Sequence, residues 1–329
     1  MSLKTYVVTG GAGFLGSALV RRLVREGNRV RVFDNGSRGC RERLQDVAGE
    51  FEYVAGDIRN REAVERALRG ADSVCHLAFV NGTEFFYTQP DLVLEVAVKG
   101  ITNVLDACLQ HQVSELVLAS SSEVYQDPPS FPTSEAVPLL IPDPSNPRYS
   151  YAAGKIISEV MALNYGCNRV RRVLIVRPHN VYGPDMGWEH VIPQFVLRMR
   201  RLLRPESDTV RFPIQGTGEQ TRSFVFIEDF IEGLMAVLRG GVHLGIYNIG
   251  TQEEIAIAEL ARRVGAYFGK RVEIVPGPPA LGGARRRCPD IAKIQALGYS
   301  PRVALSEGLA ITAKWYDENF HLAPAAREG

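Results

Sequence analysis

The sequence predicts an α/β protein, a doubly wound parallel sheet followed by a smaller second lobe. Three observations carry that expectation. Short apolar runs alternate with longer segments of helical period, a glycine-rich turn directly follows the first run, and the chain has 329 residues, which at roughly 150 residues per domain suggests two lobes. Alternation of this kind marks βαβ units, whose crossover helices cover both faces of a parallel sheet.

The elements follow in order. Thr5-Tyr6-Val7-Val8 reads as the first strand and 14–26 as the first helix. Arg29 to Phe33 forms the second strand, Phe51 to Val54 the third with helix 60–69, and Ser73 to Leu77 the fourth with helix 91–111; Leu116 to Ala119 is the fifth. Helix 91–111 carries Leu94, Val98, Ile101, Leu105 and Leu109, broadened by Val93, Val104 and Cys108. Such a wide apolar stripe has room for both a sheet and a partner helix. Prolines at 128, 129, 132, 138, 142, 144 and 147 disfavour helix and central strand, so an irregular loop is expected beside the site. A helix fits 150–166 and a strand 171–177. Beyond Pro178 the elements shorten, with loops expected at 204–221 and 276–290.

Charge and cysteine usage narrow the function. Lys plus Arg number 38 against 37 acidic residues, a formal charge of +1, so the electrostatic footprint of a nucleic-acid binder is missing. The five cysteines, at 40, 75, 108, 167 and 288, form no CxxC pair and no metal-ligand spacing, which fits reduced thiols and no metal site. No apolar run reaches the ~18 residues of a membrane span, and Met1-Ser2-Leu3-Lys4 leads straight into a strand. The expectation is a soluble, cytoplasmic protein.

Two motifs carry chemistry. In Thr9-Gly10-Gly11-Ala12-Gly13-Phe14-Leu15-Gly16, Gly10, Gly13 and Gly16 tighten a turn, let the backbone approach a pyrophosphate and bring the helix close to the sheet. Asp34, at the end of the second strand, would accept hydrogen bonds from both ribose hydroxyls and repel a 2′-phosphate, so NAD is expected over NADP. Arg31 and Arg38 stand nearby as possible counter-charges. Asp57-Ile58 closes the third strand and suits the adenine edge, with a helix N-cap as the alternative. The second motif is Ser120-Ser121-Ser122-Glu123-Val124-Tyr125 at the carboxyl end of the fifth strand, with Tyr151 and Lys155 four residues apart on one helical face. A neighbouring lysine cation favours the phenolate, moving Tyr151 toward a useful base, with Ser121 holding the substrate hydroxyl.

Joined, these motifs resemble the extended short-chain dehydrogenase/reductase family, the nucleotide-sugar epimerases and dehydratases, with the Rossmann fold. The resemblance also rests on Asp34-Asn35, His76-Leu77-Ala78, Arg177-Pro178-His179-Asn180-Val181-Tyr182-Gly183-Pro184, Gln220-Thr221-Arg222-Ser223-Phe224 and Pro289-Asp290-Ile291-Ala292-Lys293. It implies a bound NAD that oxidises C4 of an NDP-hexose to a transient ketone. It also implies an NAD lobe of 1–177, to which 223–247 returns, and a sugar-nucleotide lobe of 178–222 and 248–329. Position by position, Phe14, Leu15, Asn35, Leu77 and Ala78 join the cofactor site, as does Lys99, with a snorkelling surface lysine as its alternative; Asn180, Arg222 and Arg287 contact the sugar nucleotide; helices 91–111 and 150–166 form a homodimer.

The reaction within the family turns on Glu123. Ser121-Ser122-Glu123-Val124-Tyr125 resembles the UDP-glucuronate decarboxylases, while Ser122 stands where 4,6-dehydratases carry an Asp. The second half, including Pro276-Gly277-Pro278 and Leu281-Gly282-Gly283-Ala284-Arg285, resembles GDP-mannose 3,5-epimerase, which implies Glu123 and His190 as an acid/base pair. A desolvated Glu is raised toward the histidine range. Glu123 could instead hydrogen-bond the sugar, and His190 cap helix 191–203. Gln126 stands where many relatives have Gly. The leading expectation is an NAD-dependent nucleotide-sugar epimerase; the alternatives are a 4,6-dehydratase or hexuronate decarboxylase and, from another class, a non-catalytic NAD-binding regulatory subunit.

Overall fold

The computed structural model describes residues 3–278 and 283–324. The N-terminal elements are β1 (Thr5–Thr9), α1 (Phe14–Arg25), β2 (Arg29–Asp34), β3 (Glu52–Ala55), α2 (Arg61–Leu68), β4 (Ser73–His76), α3 (Thr83–Thr88), α4 (Pro90–Gln110), β5 (Glu115–Ala119), α5 (Ser150–Gly166) and β6 (Arg172–Pro178). After these come β7 (Val181–Tyr182), α6 (Val191–Leu202), β8 (Thr209–Gln215), β9 (Thr221–Ser223), β10 (Val225–Phe226), α7 (Ile227–Gly240) and β11 (Gly245–Ile249). The chain continues through β12 (Glu254–Ala256), α8 (Ile257–Tyr267), β13 (Arg271–Gly277), β14 (Arg286–Arg287), α9 (Ala292–Gln295) and α10 (Leu305–Glu318).

Seven strands form one sheet in the order β11-β6-β5-β4-β1-β2-β3, every neighbour parallel. Successive side chains on a strand point to opposite faces. Val8, Val32, Val117 and Val176 therefore enter one core with Leu19 and Leu23 of α1 and Phe230 and Leu234 of α7. Val7, Phe33, Leu116 and Ile175 enter the other, with Val64 of α2 and Ile101 and Leu105 of α4. From β1 the chain runs outward to β2 and β3, then returns to place β4 on β1's other side. The crevice at the strands' carboxyl ends opens at this reversal, where ligands bind in open α/β sheets.

A third core, with Phe195, Phe212, Leu260, Leu309 and Tyr316, builds the smaller lobe. Here the expected loop at 204–221 is corrected: β8 occupies Thr209–Gln215 and pairs in parallel with β13. Val210, Phe212 and Ile214 alternate inward, and β8 has β13 as its sole strand partner among the described residues, which leaves an edge where Pro213 is tolerated. The expected loop 276–290 lies partly outside the described residues, Leu281 and Gly282 included; Arg286–Arg287 within it form β14 beside β9. Among the described residues no helix is long and apolar enough to cross a membrane.

Two glycines decide the first turn. Gly10 has φ +69°, and an added Cβ would meet the Ala78 backbone at 2.8 Å; at Gly16 it would sit 2.0 Å from the Gly10 carbonyl oxygen. Neither neighbour is a side chain that can swing away. Gly16→Ala is expected to cost about 1–3 kcal/mol by overpacking, read as a lower urea midpoint with unchanged slope.

Candidate active site

One cavity of about 490 Å³ lies at the carboxyl ends of the strands. Gly10, Gly13, Phe14, Leu15, Gly16, Asp34, Asn35, Asp57, Ile58, Leu77 and Ala78 line it together with Ser121, Glu123, Tyr151, Lys155, Asn180, His190 and Arg287. Two expected residues lie elsewhere. Lys99, its side chain 59% exposed, pairs with Glu95 one turn earlier on α4. The Arg222 guanidinium donates to the Thr221 and Ala284 carbonyls at 2.7 and 2.8 Å. Arg222 lies outside the lining, close enough to Glu123 and Arg287 to act on them through charge, and burial with the Arg287 cation lowers its pKa to about 9.

At the glycine-rich end, the Asp34 carboxylate accepts from the Ala12 amide at 3.0 Å and the Gly36 amide at 2.9 Å. Backbone donors thus hold a negative charge at the end of β2. This cradle fits a dinucleotide, since a Cβ at Gly10 or Gly16 would strike backbone and Asp34 opposes a 2′-phosphate. Asp57 accepts three hydrogen bonds from Arg59 and one from Asn35, which hold its pKa down at about 2, Arg59 contributing most. It does not cap α2; Asn60 does, accepting from the Ala63 amide at 3.0 Å. Arg31 pairs with Glu52 and the carbonyls of Ala67 and Arg69.

Tyr151 and Lys155 sit on α5, 6% and 4% exposed. Phe86 stacks on the Tyr151 ring at 4.8 Å and Phe79 meets it edge-on at 5.1 Å. Spacing in the sequence did not reveal these aromatic walls; the aromatic run Phe85-Phe86-Tyr87 was the available signal. The Lys155 ammonium donates to the Ala119 carbonyl at 2.8 Å and lies 5.7 Å from the Tyr151 ring centre. Its pKa falls to about 7 because burial outweighs the attraction of Glu159. The expected lowering of Tyr151 is overturned. Burial raises the phenol above its ordinary value; Ser121's hydrogen bond and the Arg287 cation pull it down, and the Glu123 charge pushes it up.

Glu123 is corrected in the same way. Burial alone would raise its pKa, but the Arg287 cation bonded to it, with Arg148 and Arg222, holds it below the ordinary carboxylate value. Arg287 Nη1 donates to Glu123 Oε1 at 2.6 Å, and Ser121 Oγ accepts from the Glu123 amide at 3.1 Å. Arg287 Nε and Nη2 are buried without a hydrogen-bond partner among the described residues. His190 precedes α6 but its side chain makes no capping bond; burial lowers its pKa, Glu189 opposing and Arg38 assisting. Asn180, at φ +42°, donates to the Ser223 carbonyl at 2.8 Å. Gln126 has φ +52°, a conformation that favours glycine, and its side-chain amide donates to the Glu123 carbonyl at 2.6 Å.

Behind the cavity runs a buried polar chain. Arg177 grips both oxygens of Glu159, at 2.9 and 2.6 Å, and donates to the Tyr125 hydroxyl at 2.8 Å. Tyr125 in turn donates to Asn248 Oδ1 at 2.7 Å, which His179 also meets at 3.1 Å. The Asn248 side-chain amide reaches the carbonyls of Thr133 and Asp290. The chain thereby ties α5, the Glu123 turn, β6 and β11 together.

Comparisons with known proteins identify relatives of this chain. Residues 6–250 match the family model "NAD dependent epimerase/dehydratase family". UDP-glucuronic acid decarboxylase 4 of Arabidopsis thaliana is 34% identical over 311 residues, covering 94% of this chain and 67% of the relative. The dTDP-glucose 4,6-dehydratase DesIV of Streptomyces venezuelae, solved with NAD, superposes with a TM-score of 0.86 at 32% identity, over 97% of this chain and 98% of that one. UDP-glucose 4-epimerase of Thermus thermophilus, in complex with NAD, gives 0.82 at 29% identity over 95% and 99%.

The Glu123–Arg287 pair makes a signed pH prediction. A carboxylate whose folded pKa lies below 4.5 contributes stability that is fully present above that value and is lost as pH falls through the lower folded value. Urea unfolding of the wild type and Glu123→Gln is expected to show the wild type more stable at pH 7, with the gap closing progressively below pH 4.5.

Proposed function

The chain belongs to the NAD-dependent epimerase/dehydratase family, and from that premise we propose that it decarboxylates a nucleoside diphosphate hexuronate through a transient C4 ketone. The observation that carries this reading is Arg287, at the cavity with Nη1 committed to Glu123 and two further donors buried without partners. Buried cationic donors favour an anionic ligand group. A hexuronate carboxylate meets that need, and the decarboxylase relative supports the same substrate class.

In this reading residues 1–177 with 223–247 hold the cofactor, and 178–222 with 248–329, through Asn180 and Arg287, hold the sugar nucleotide. Ser121 orients the C4 hydroxyl and Tyr151 takes its proton. NAD, when bound, supplies the hydride acceptor at C4 and a positive ring that acts on the phenol in the same direction as Arg287. The carboxylate is β to the new ketone, so the C5–C6 bond breaks with its electron pair passing into an enolate, carbon dioxide leaves, and C5 takes a proton from solvent. C4 is then reduced back to the alcohol as Tyr151 returns its proton to the oxygen, so that the cofactor ends as it began. Glu123, kept charged by Arg287, serves as the fixed counter-ion that sets the guanidinium's orientation. Lys155 places its ammonium beneath the aromatic walls.

The second reading is epimerisation through the same ketone, supported by the likeness to the Thermus thermophilus 4-epimerase and by Glu123 and His190 lining one cavity. A homodimer through α4 and α5 is also proposed, on the exposed apolar side chains of Leu94, Val98, Ile157 and Val160.

Incubation with UDP-, dTDP-, GDP- and CDP-linked hexoses and hexuronates in deuterated water tests the reading. The expected product has lost carbon dioxide and gained deuterium at C5. An isomeric product from a hexose would instead establish the epimerase. Tyr151→Phe is expected to lower turnover at least about 100-fold, the scale of a lost acid–base group, while NADH binding persists. Turnover by the purified chain would also remove the regulatory-subunit alternative. Light scattering is expected to give a dimer, and Val160→Glu a monomer.

A further inference from the structure

The cavity's rim is crossed by ion pairs that join two distant stretches of chain. Residues 36–43 follow β2 and fold back on the glycine-rich turn, the Cys40 amide donating to the Ala12 carbonyl at 3.0 Å. Arg43 extends that fold. Its Nη1 reaches the carbonyls of Ala12 and Arg38 at 3.3 and 3.2 Å, while Nε and Nη2 fork onto the two Asp185 carboxylate oxygens at 2.6 and 2.8 Å. A planar fork on both oxygens fixes orientation as well as distance. Nearby, Arg38 reaches Glu189 at 3.4 Å and lies 4.8 Å from the Phe85 ring centre.

The acidic partners stand on an anchored segment. Asp185 has φ +55°, a conformation that Asp tolerates better than most residues. Tyr316 of α10 donates to the Gly187 carbonyl at 2.7 Å, and Trp188 packs edge-on against Tyr316 at 4.9 Å. Ser37, Arg38, Gly39 and Arg43 on one side, and Met186 and Gly187 on the other, all line the same cavity as Asp34.

We infer that Asp185, acting through Arg43, and Glu189, acting through Arg38, are cofactor-positioning residues that pin segment 36–43 over the dinucleotide site and slow its release. The second lobe thereby contributes to holding a ligand whose own contacts lie in the first. Dissociation of the dinucleotide requires both ion pairs to part.

The test reads NADH release directly and needs no sugar substrate, so failure of the decarboxylase reading leaves it intact. Purified protein is loaded with NADH and chased with excess NAD, following the loss of NADH fluorescence. Asp185→Asn is expected to release NADH about three- to fivefold faster and Glu189→Gln, whose single contact is 3.4 Å, about twofold faster, the scale of partly exposed ion pairs. Arg43→Lys, which keeps the charge and loses the fork, is expected to fall between. Raising salt is expected to speed release from the wild type and have little effect on the Asp185→Asn, Glu189→Gln double variant. Asp317→Asn, which breaks the Arg200–Asp317 pair of α10, serves as the control with wild-type release. Wild-type release rates and salt dependence in both acidic variants, with or without a lowered melting temperature, overturn the proposal.

Discussion

The ion pair between Glu159 and Arg177 sets the frame in which the site exists. Each side chain is 2% exposed, so neither charge has water to fall back on. Removing one partner of such a pair costs about 3–5 kcal/mol, a large share of the roughly 5–15 kcal/mol that holds a domain folded. Its position matters as much as its strength. Glu159 lies four residues beyond Lys155 and eight beyond Tyr151, on the same face of α5, and Arg177 is the penultimate residue of β6, behind the cavity. The pair therefore sets how deep the helix sits against the sheet, and through Tyr125 it reaches the turn that carries Glu123. Glu159 is also the counter-charge that opposes the loss of the Lys155 proton.

Much of the first lobe was legible in the sequence because its signals are local and periodic. α5 spans Ser150–Gly166, matching the predicted 150–166 at both ends, and α4 starts at Pro90, one residue before the expectation. The glycine turn was readable for a different reason. Its residues answer to backbone crowding, which leaves glycine as the one residue type that fits. The cavity residues at the ends of β1, β2, β3 and β5 follow from the parallel topology, since such strands deliver their carboxyl ends to a single edge.

What was not legible depends on three-dimensional charge and on the second lobe. The Tyr151-Lys155 spacing shows one cation beside the phenol but not the burial that raises its pKa. Glu123 was expected to rise through desolvation, and it falls because Arg287, 164 residues away in sequence, lies 2.6 Å from it. The resemblance implies Lys99 at the cofactor, yet Glu95 one turn earlier holds its ammonium at the surface. β8 escaped because Pro213 masks the alternation of Val210, Phe212 and Ile214, and only knowledge that it lies at a sheet edge makes the proline harmless.

The order of strands also bears on how the chain reaches this state. β6 is complete at Pro178, but its outer neighbour β11 begins at Gly245. During synthesis an N-terminal segment ending near residue 178 would present the unpaired backbone of β6 as an open edge, a template for pairing with another chain. That edge is closed only after more than sixty further residues, including α6 and β8, have emerged. Cutting the gene at the apparent lobe boundary would thus yield an aggregation-prone fragment rather than a stable nucleotide-binding module. The sheet of the first lobe is complete only once β11 has been made, because its outermost strand is stored in the second half of the message.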